Sequence, residues 1–108
     1  MIEDLPAVFA RYEDEDLSFD QIESPPVSRP DLCAMLLLDR LVPREPTTSP
    51  NGAHRYYRRI LSSASHDQVY LDVEPGELAA VATEADIVTL IRCGVWYDDD
   101  LEAFGLFV

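Results

Sequence analysis

Val95-Trp96-Tyr97-Asp98-Asp99-Asp100-Leu101-Glu102-Ala103-Phe104-Gly105-Leu106-Phe107-Val108 closes the chain, and its reading decides the fold. Two runs of strand-forming residues, Val95 to Tyr97 and Ala103 to Val108, flank a short acidic turn, which is the pattern of a β-hairpin. Upstream, Val69, Leu71 and Val73 alternate with Tyr70 and Asp72, the period-two signature of a half-buried strand. Much of the remaining apolar content falls at helical spacing. The sequence therefore predicts an α+β fold: a single small domain over 1–108, with helices packed on a short antiparallel sheet that ends in a C-terminal β-hairpin.

The helices are read from their caps and periodicity. Leu5, Val8, Phe9 and Tyr12 lie on one helical face, with Asp4 placed to cap and Pro6 in the first turn, where its missing N–H does no harm. Leu17 and Phe19 alternate with polar neighbours and suggest a short extended piece. Ser24-Pro25-Pro26 breaks regular structure, so residues 1–27 read as an acidic N-terminal segment. A second helix is expected from Ser28, with Ser28 and Asp31 spaced as a capping box. Leu32, Cys33, Met35, Leu36, Leu37 and Leu41 make it apolar on nearly every side, which predicts a central place in the core, and Pro43 ends it. Residues 44–53, with Pro46, Pro50 and Asn51-Gly52, read as an exposed, mobile loop. Tyr56, Tyr57, Ile60 and Leu61 share helical spacing, so a short helix is expected between His54 and Ser65. Pro75 opens a helix carrying Leu78 and Val81. Thr83 and Asp86 pair as a second capping box before Ile87, Val88, Leu90 and Ile91, with Arg92 in the last turn and Gly94 placed for a left-handed cap.

Charge is the strongest compositional signal. The 108 residues carry 21 acids against eight basic residues, all of them arginine, for a formal net charge of -13. A GC-rich genome or salt adaptation accounts for much acid and no lysine. Neither accounts for the segregation. Residues 1–31 hold nine acids and two arginines, 32–59 hold two acids and five arginines, and 60–108 hold ten acids and one arginine. Two acidic flanks thus enclose a basic middle. Such a surface repels nucleic acid and anionic membrane and attracts basic proteins.

Two acidic clusters are the candidate partner-binding residues: Glu13, Asp14, Glu15 and Asp16, and then Asp98, Asp99, Asp100 and Glu102. Their spacing lacks the alternating ligands, central glycine and distal glutamate of an EF-hand, so no metal is expected there. Carboxylates arrayed this way can imitate the field of duplex DNA, which carries one negative charge per ~1.7 Å of axis. Trp96 and Tyr97 adjoin the second cluster. One of them should face the core and the other solvent, and an aromatic beside carboxylates suits a basic partner.

The opposite feature is Arg55-Tyr56-Tyr57-Arg58-Arg59, three cations interleaved with two aromatics. Such a patch can grip phosphate and stack bases. The field of the rest of the chain argues against direct nucleic-acid binding. Arg55, Arg58 and Arg59 are expected to pair with the protein's own carboxylates while the tyrosines pack, or to dock on an acidic surface such as a second copy of the chain.

No other motif carries chemistry. Ser65, His66 and Asp67 hold the residue types of a hydrolytic triad, but adjacent residues cannot supply its geometry, and no G-x-S-x-G elbow is present. His66 and Asp67 read as a turn. Cys33, Cys93, His54 and His66 have no zinc-type spacing, and there is no phosphate loop or dinucleotide fingerprint. The sequence thus predicts no enzyme and no cofactor. Cys33 and Cys93 sit among aliphatic neighbours and read as buried thiols, with a disulfide between them left open. The longest apolar run, Leu32 to Leu38, is far short of a membrane span. The start Met1-Ile2-Glu3-Asp4 lacks the basic onset of a signal peptide, so a cytoplasmic location is expected.

The C-terminal half, from Ile60 to Val108, resembles short acidic proteins of phages and other mobile elements of GC-rich bacteria. Ser-Ala-Ser-His-Asp at 63–67, Leu-Ile-Arg-Cys-Gly-Val at 90–95 and the acidic turn before Phe104 to Val108 carry the resemblance. It implies a setting in which small acidic proteins block host defences, and it assigns no residue a role. The expectation that follows is a non-enzymatic binding protein that inhibits a nucleic-acid-binding host defence complex of the anti-CRISPR or anti-restriction kind, its carboxylates meeting arginines and lysines that normally hold DNA or RNA. The alternative is a self-associating assembly or adaptor protein, a homodimer in which a basic centre meets an acidic flank.

Overall fold

A computed structural model of the chain describes residues 2–57 and 59–107. It is an α+β domain in which helices cover one face of a four-stranded antiparallel sheet. The helices are α1 (Leu5–Arg11), α2 (Pro30–Leu41), α3 (Pro75–Val81) and α4 (Glu84–Arg92). The strands are β1 (Thr47–Thr48), β2 (Arg55–Tyr56), β3 (Leu61–Ser65), β4 (Gln68–Leu71), β5 (Val95–Asp98) and β6 (Ala103–Phe107). The main sheet runs β3-β4-β6-β5, so the terminal hairpin places β6 inside and β5 at one edge, with β3 at the other. β1 and β2 form a separate small ribbon.

Alternation along the strands sorts the two faces. Val69, Leu71, Val95, Phe104 and Leu106 are buried against Leu5, Val8, Phe9, Cys33, Ala34, Leu38, Leu78, Ala82, Ile87, Leu90 and Cys93 of the helical side. Phe9, Tyr97 and Phe104 form an aromatic triangle where α1 meets the terminal hairpin, with ring centroids 5.4–6.1 Å apart. On the opposite face Trp96 lies across Gly105, edge-on to Tyr70 and tilted against Phe107. Trp96 and Tyr97 therefore do point to opposite sides, as their adjacency on a strand requires.

The caps of α1 and α4 form as their sequences suggest. Asp4 accepts from the Ala7 N–H at 3.2 Å. Thr83 and Asp86 bond reciprocally, with the Thr83 N–H donating to Asp86 Oδ2 at 2.9 Å and the Asp86 N–H to Thr83 Oγ1 at 3.2 Å. Gly94 follows α4 at φ +98°, a left-handed conformation that suits glycine. Cys33 and Cys93 are buried free thiols, one on α2 and one at the end of α4, and they neighbour one another.

Four local expectations are corrected and one is refined. The helix expected within 54–65 is instead β2, a connection and β3. His66 takes φ +50° in the two-residue turn from β3 to β4, and that reversal commits the preceding residues to pairing. Residues 44–53 are mostly exposed, as expected of a loop, and carry the short strand β1. Thr47 and Thr48 pair with Tyr56 and Arg55, and Arg44 forms an ion pair with Glu77 at 2.5 Å. Ser28 does not cap α2, because Pro30 holds Arg29 extended and the helix begins at the proline with Arg29 as its N-cap. α2 is also not buried all round: Leu32 and Leu36 remain exposed, while Cys33, Ala34 and Leu38 face inward. Finally, the piece around Phe19 is a 3-10 turn (Phe19–Gln21) rather than extended, held by the Ser18 N–H donating to Gln21 Oε1 at 2.9 Å.

Candidate functional site

The end of α1 and the tip of the terminal hairpin meet. A groove of about 260 Å³ opens between them, lined by Phe9 and Tyr12 of α1 and its cap, by Glu13, Glu15 and Leu17 of the acidic run, and by Tyr97 and Asp99 of the hairpin. Pro6, Ala10, Ile91, Val95 and Trp96 complete the lining, and none of these residues is basic. Carboxylates more than eighty positions apart in the sequence thus share one rim, above walls that are largely aromatic and aliphatic.

Local chemistry fixes each wall. Phe9 is held by Tyr97 and Phe104. Tyr12 follows the last turn of α1, and its hydroxyl donates to Glu84 Oε1 at 2.5 Å, where Arg11 Nη1 also arrives at 2.6 Å. The Tyr12 hydrogen bond and the Arg11 guanidinium together hold the Glu84 carboxyl below the ordinary carboxylate range. This three-residue knot ties the end of α1 to the start of α4 and so fixes where the acidic run begins.

The tip has its own organiser. Asp98 Oδ1 accepts from the Asp100 N–H at 2.9 Å and the Leu101 N–H at 3.1 Å, an Asx turn that shapes the loop. Glu102 takes φ +49° to return the chain into β6. Of the four tip carboxylates, Asp98 therefore serves the fold, while Asp99, Asp100 and Glu102 are exposed. Tyr97 registers their field. Burial pushes its phenol up first, and Glu102, Asp99 and Asp98 raise it further.

Glu13, Glu15 and Asp99 are the predicted residues that the structure brings together. Asp14 and Asp16 are exposed beside them and do not line the groove, and the same holds for Asp100 and Glu102. Phe9, Tyr12 and Leu17 were missing from the sequence-based site. At helical spacing Phe9 and Tyr12 look like core alone, and nothing local marks them as the wall of a groove. Among the described residues no three His, Cys, Asp or Glu side chains are grouped to hold a metal ion.

The basic segment lies apart from this groove. It leads into β3, at the opposite edge of the sheet from β5. Three strand spacings of ~4.8 Å, about 14 Å in all, separate the edges, more than the ~8 Å Debye length of physiological salt. Tyr56 and Tyr57 do not pack, being 57% and 70% exposed. Among the described residues Arg55 and Arg59 form no ion pair with the protein's own carboxylates. The Arg55 guanidinium lies 5.9 Å from the Tyr57 ring centroid instead. Arg55 and Tyr56 belong to the separate ribbon, whereas Tyr57 and Arg59 border a shallow pocket with Leu38, Val42, Ile60 and Val73. Arg58 lies outside the described residues. His66 is exposed in its turn, flanked by exposed Ser65 and Asp67.

No family model, curated protein or solved structure matches this chain. Among the described residues no helix is long and apolar enough to cross a membrane.

Proposed function

We propose that the protein is a non-catalytic acidic binding protein whose groove receives an arginine or lysine side chain of a basic, nucleic-acid-binding partner. The observation that carries this reading is the meeting of Glu13, Glu15 and Asp99 on one rim above Phe9, Tyr12 and Tyr97. A guanidinium entering there finds carboxylates for its N–H groups and aromatic walls for its stem and π-face. Asp14, Asp16, Asp100 and Glu102 extend the negative field around the entrance and steer a cationic surface toward it. Occupying residues that otherwise hold phosphates would displace DNA or RNA from the partner. The resemblance of residues 60–108 to mobile-element proteins supports a host defence complex, of the anti-CRISPR or anti-restriction kind, as the target.

Binding of an arginine-rich peptide, measured by calorimetry across a salt series, tests the groove. The triple variant E13Q/E15Q/D99N should weaken binding at least tenfold. The variant D14N/D16N/D100N removes the same charge outside the lining and should cost only a few-fold. Equal losses would reduce the site to bulk charge and refute the groove. Failure of the protein to release duplex DNA from a host DNA-binding protein that it does bind would refute the inhibitory reading alone.

A further inference from the structure

β3 is an edge strand whose one guard is a bulge at Ser62. Its five residues, Leu61-Ser62-Ser63-Ala64-Ser65, are uncharged, contain no proline and are all exposed. Natural edge strands are normally blunted by lysine, proline, inward charge, a bulge or a covering element, because their outward N–H and C=O groups template pairing. β3 pairs with β4 on one side only, and its one irregularity is the bulge at Ser62. In a chain of net charge -13, a bare strand without a carboxylate stands out.

The charges that flank the strand identify its occupant. Arg59 stands two residues before β3 and Asp67 two residues after it, both exposed, and among the described residues neither is in an ion pair. Antiparallel pairing of β3 with itself, centred on Ser63, sets Ser62 opposite Ala64 and brings the Arg59 end of one copy to the Asp67 end of the other. The twofold axis produces that meeting twice. The pattern is self-complementary, which is what an isologous interface requires.

We propose that β3 pairs antiparallel with β3 of a second copy of this chain, joining two four-stranded sheets into one of eight strands, with Arg59 of each copy facing Asp67 of the other. The order becomes β5-β6-β4-β3 followed by β3-β4-β6-β5, so the two acidic tips lie at opposite outer edges. Seven spacings of ~4.8 Å put those edges about 34 Å apart, several Debye lengths at physiological salt, so the two acidic tips repel each other little. The groove stays open in both copies, because β5 and α1 lie away from β3.

Sedimentation equilibrium of the full chain over a concentration series tests this. The expected mass is twice 12.2 kDa at the upper end. S63K places two ammonium groups at the axis and should give a monomer with an unchanged far-UV spectrum. R59D should weaken self-association about tenfold, and R59D/D67R should restore it. A wild-type monomer at every concentration would overturn the proposal. So would a dimer indifferent to S63K, or a charge swap that does not restore pairing. None of these outcomes bears on peptide binding at the groove, so the two readings stand or fall separately.

Discussion

Gly105 lies opposite Trp96 in the β5–β6 pairing, and the indole occupies the space that a side chain there would need. A Cβ on Gly105 would stand 2.5 Å from Trp96 Cε2 and 2.6 Å from Cη2, closer than real Cβ contacts allow. Gly105→Ala should therefore displace the ring, at a cost of about 1–3 kcal/mol typical of overpacking. Because Trp96 is the only tryptophan, its fluorescence reports the displacement directly, and an unchanged emission spectrum with unchanged melting would contradict this packing. The glycine has a reading in sequence, as a site of close approach within a strand, but its partner becomes identifiable only with the register. The groove carboxylates pose the same difficulty. Glu13, Glu15 and Asp99 are plain as acids in sequence, yet their meeting depends on α1 docking beside β5, a long-range contact with no local trace.

Elements were legible where burial imposes a period. β4 alternates because one face meets the helices, and α4 carries both its cap and its stripe in the sequence. The Thr83–Asp86 box is a direct instance. Thr83→Ala removes an acceptor from the first turn of α4 and should cost about 1 kcal/mol by chemical denaturation. An unchanged midpoint would mean that packing of Ile87 and Leu90 alone sets that helix. β3 was not legible because neither of its faces is buried, so nothing selects alternating residues. The helical spacing of Tyr56, Tyr57, Ile60 and Leu61 is accidental, since their surroundings differ. Tyr56 and Tyr57 are solvent-exposed, whereas the Ile60 carbonyl accepts from the Asp72 N–H at 2.5 Å, beside β4. At α2 the capping pattern was displaced by one residue because a proline controls the backbone before it.

At the scale of the whole molecule, the response to pH has opposite signs at its two ends. The depressed Glu84 carboxyl contributes stability that is present above its unfolded value and is lost as pH falls through the folded one. At the alkaline end, burial first, and then the neighbouring Cys33 thiol, pushes the Cys93 thiol from 9.0 up to about 12. A raised acid contributes stability that is complete below the unfolded pKa and disappears as pH rises toward the folded one. Unfolding free energy should thus decline between about pH 9 and 12, with the raised Tyr12 and Tyr97 phenols adding to the slope. Cys93→Ala should lower stability at neutral pH by leaving a small cavity while flattening the alkaline decline. An equally steep decline in that variant would assign it to the tyrosines. The same burial should keep both thiols unreactive toward disulfide reagents until the protein unfolds.

The division of labour at the hairpin tip bears on how this protein can evolve. The Asp98 carboxylate holds the loop by accepting from the Asp100 and Leu101 N–H groups, while Asp99 and Asp100 are exposed and Asp100 enters that turn through its backbone N–H. Under the proposed function, shape and recognition would thus reside in different residues of one short segment. If the partner's cationic surface drifts, Asp99 and Asp100 can be exchanged one mutation at a time with the scaffold undisturbed. Few intermediates along such a path would be lost to misfolding. A binding protein built this way can follow a changing target, and variation among its descendants should concentrate at these two positions while the aspartate at 98 persists.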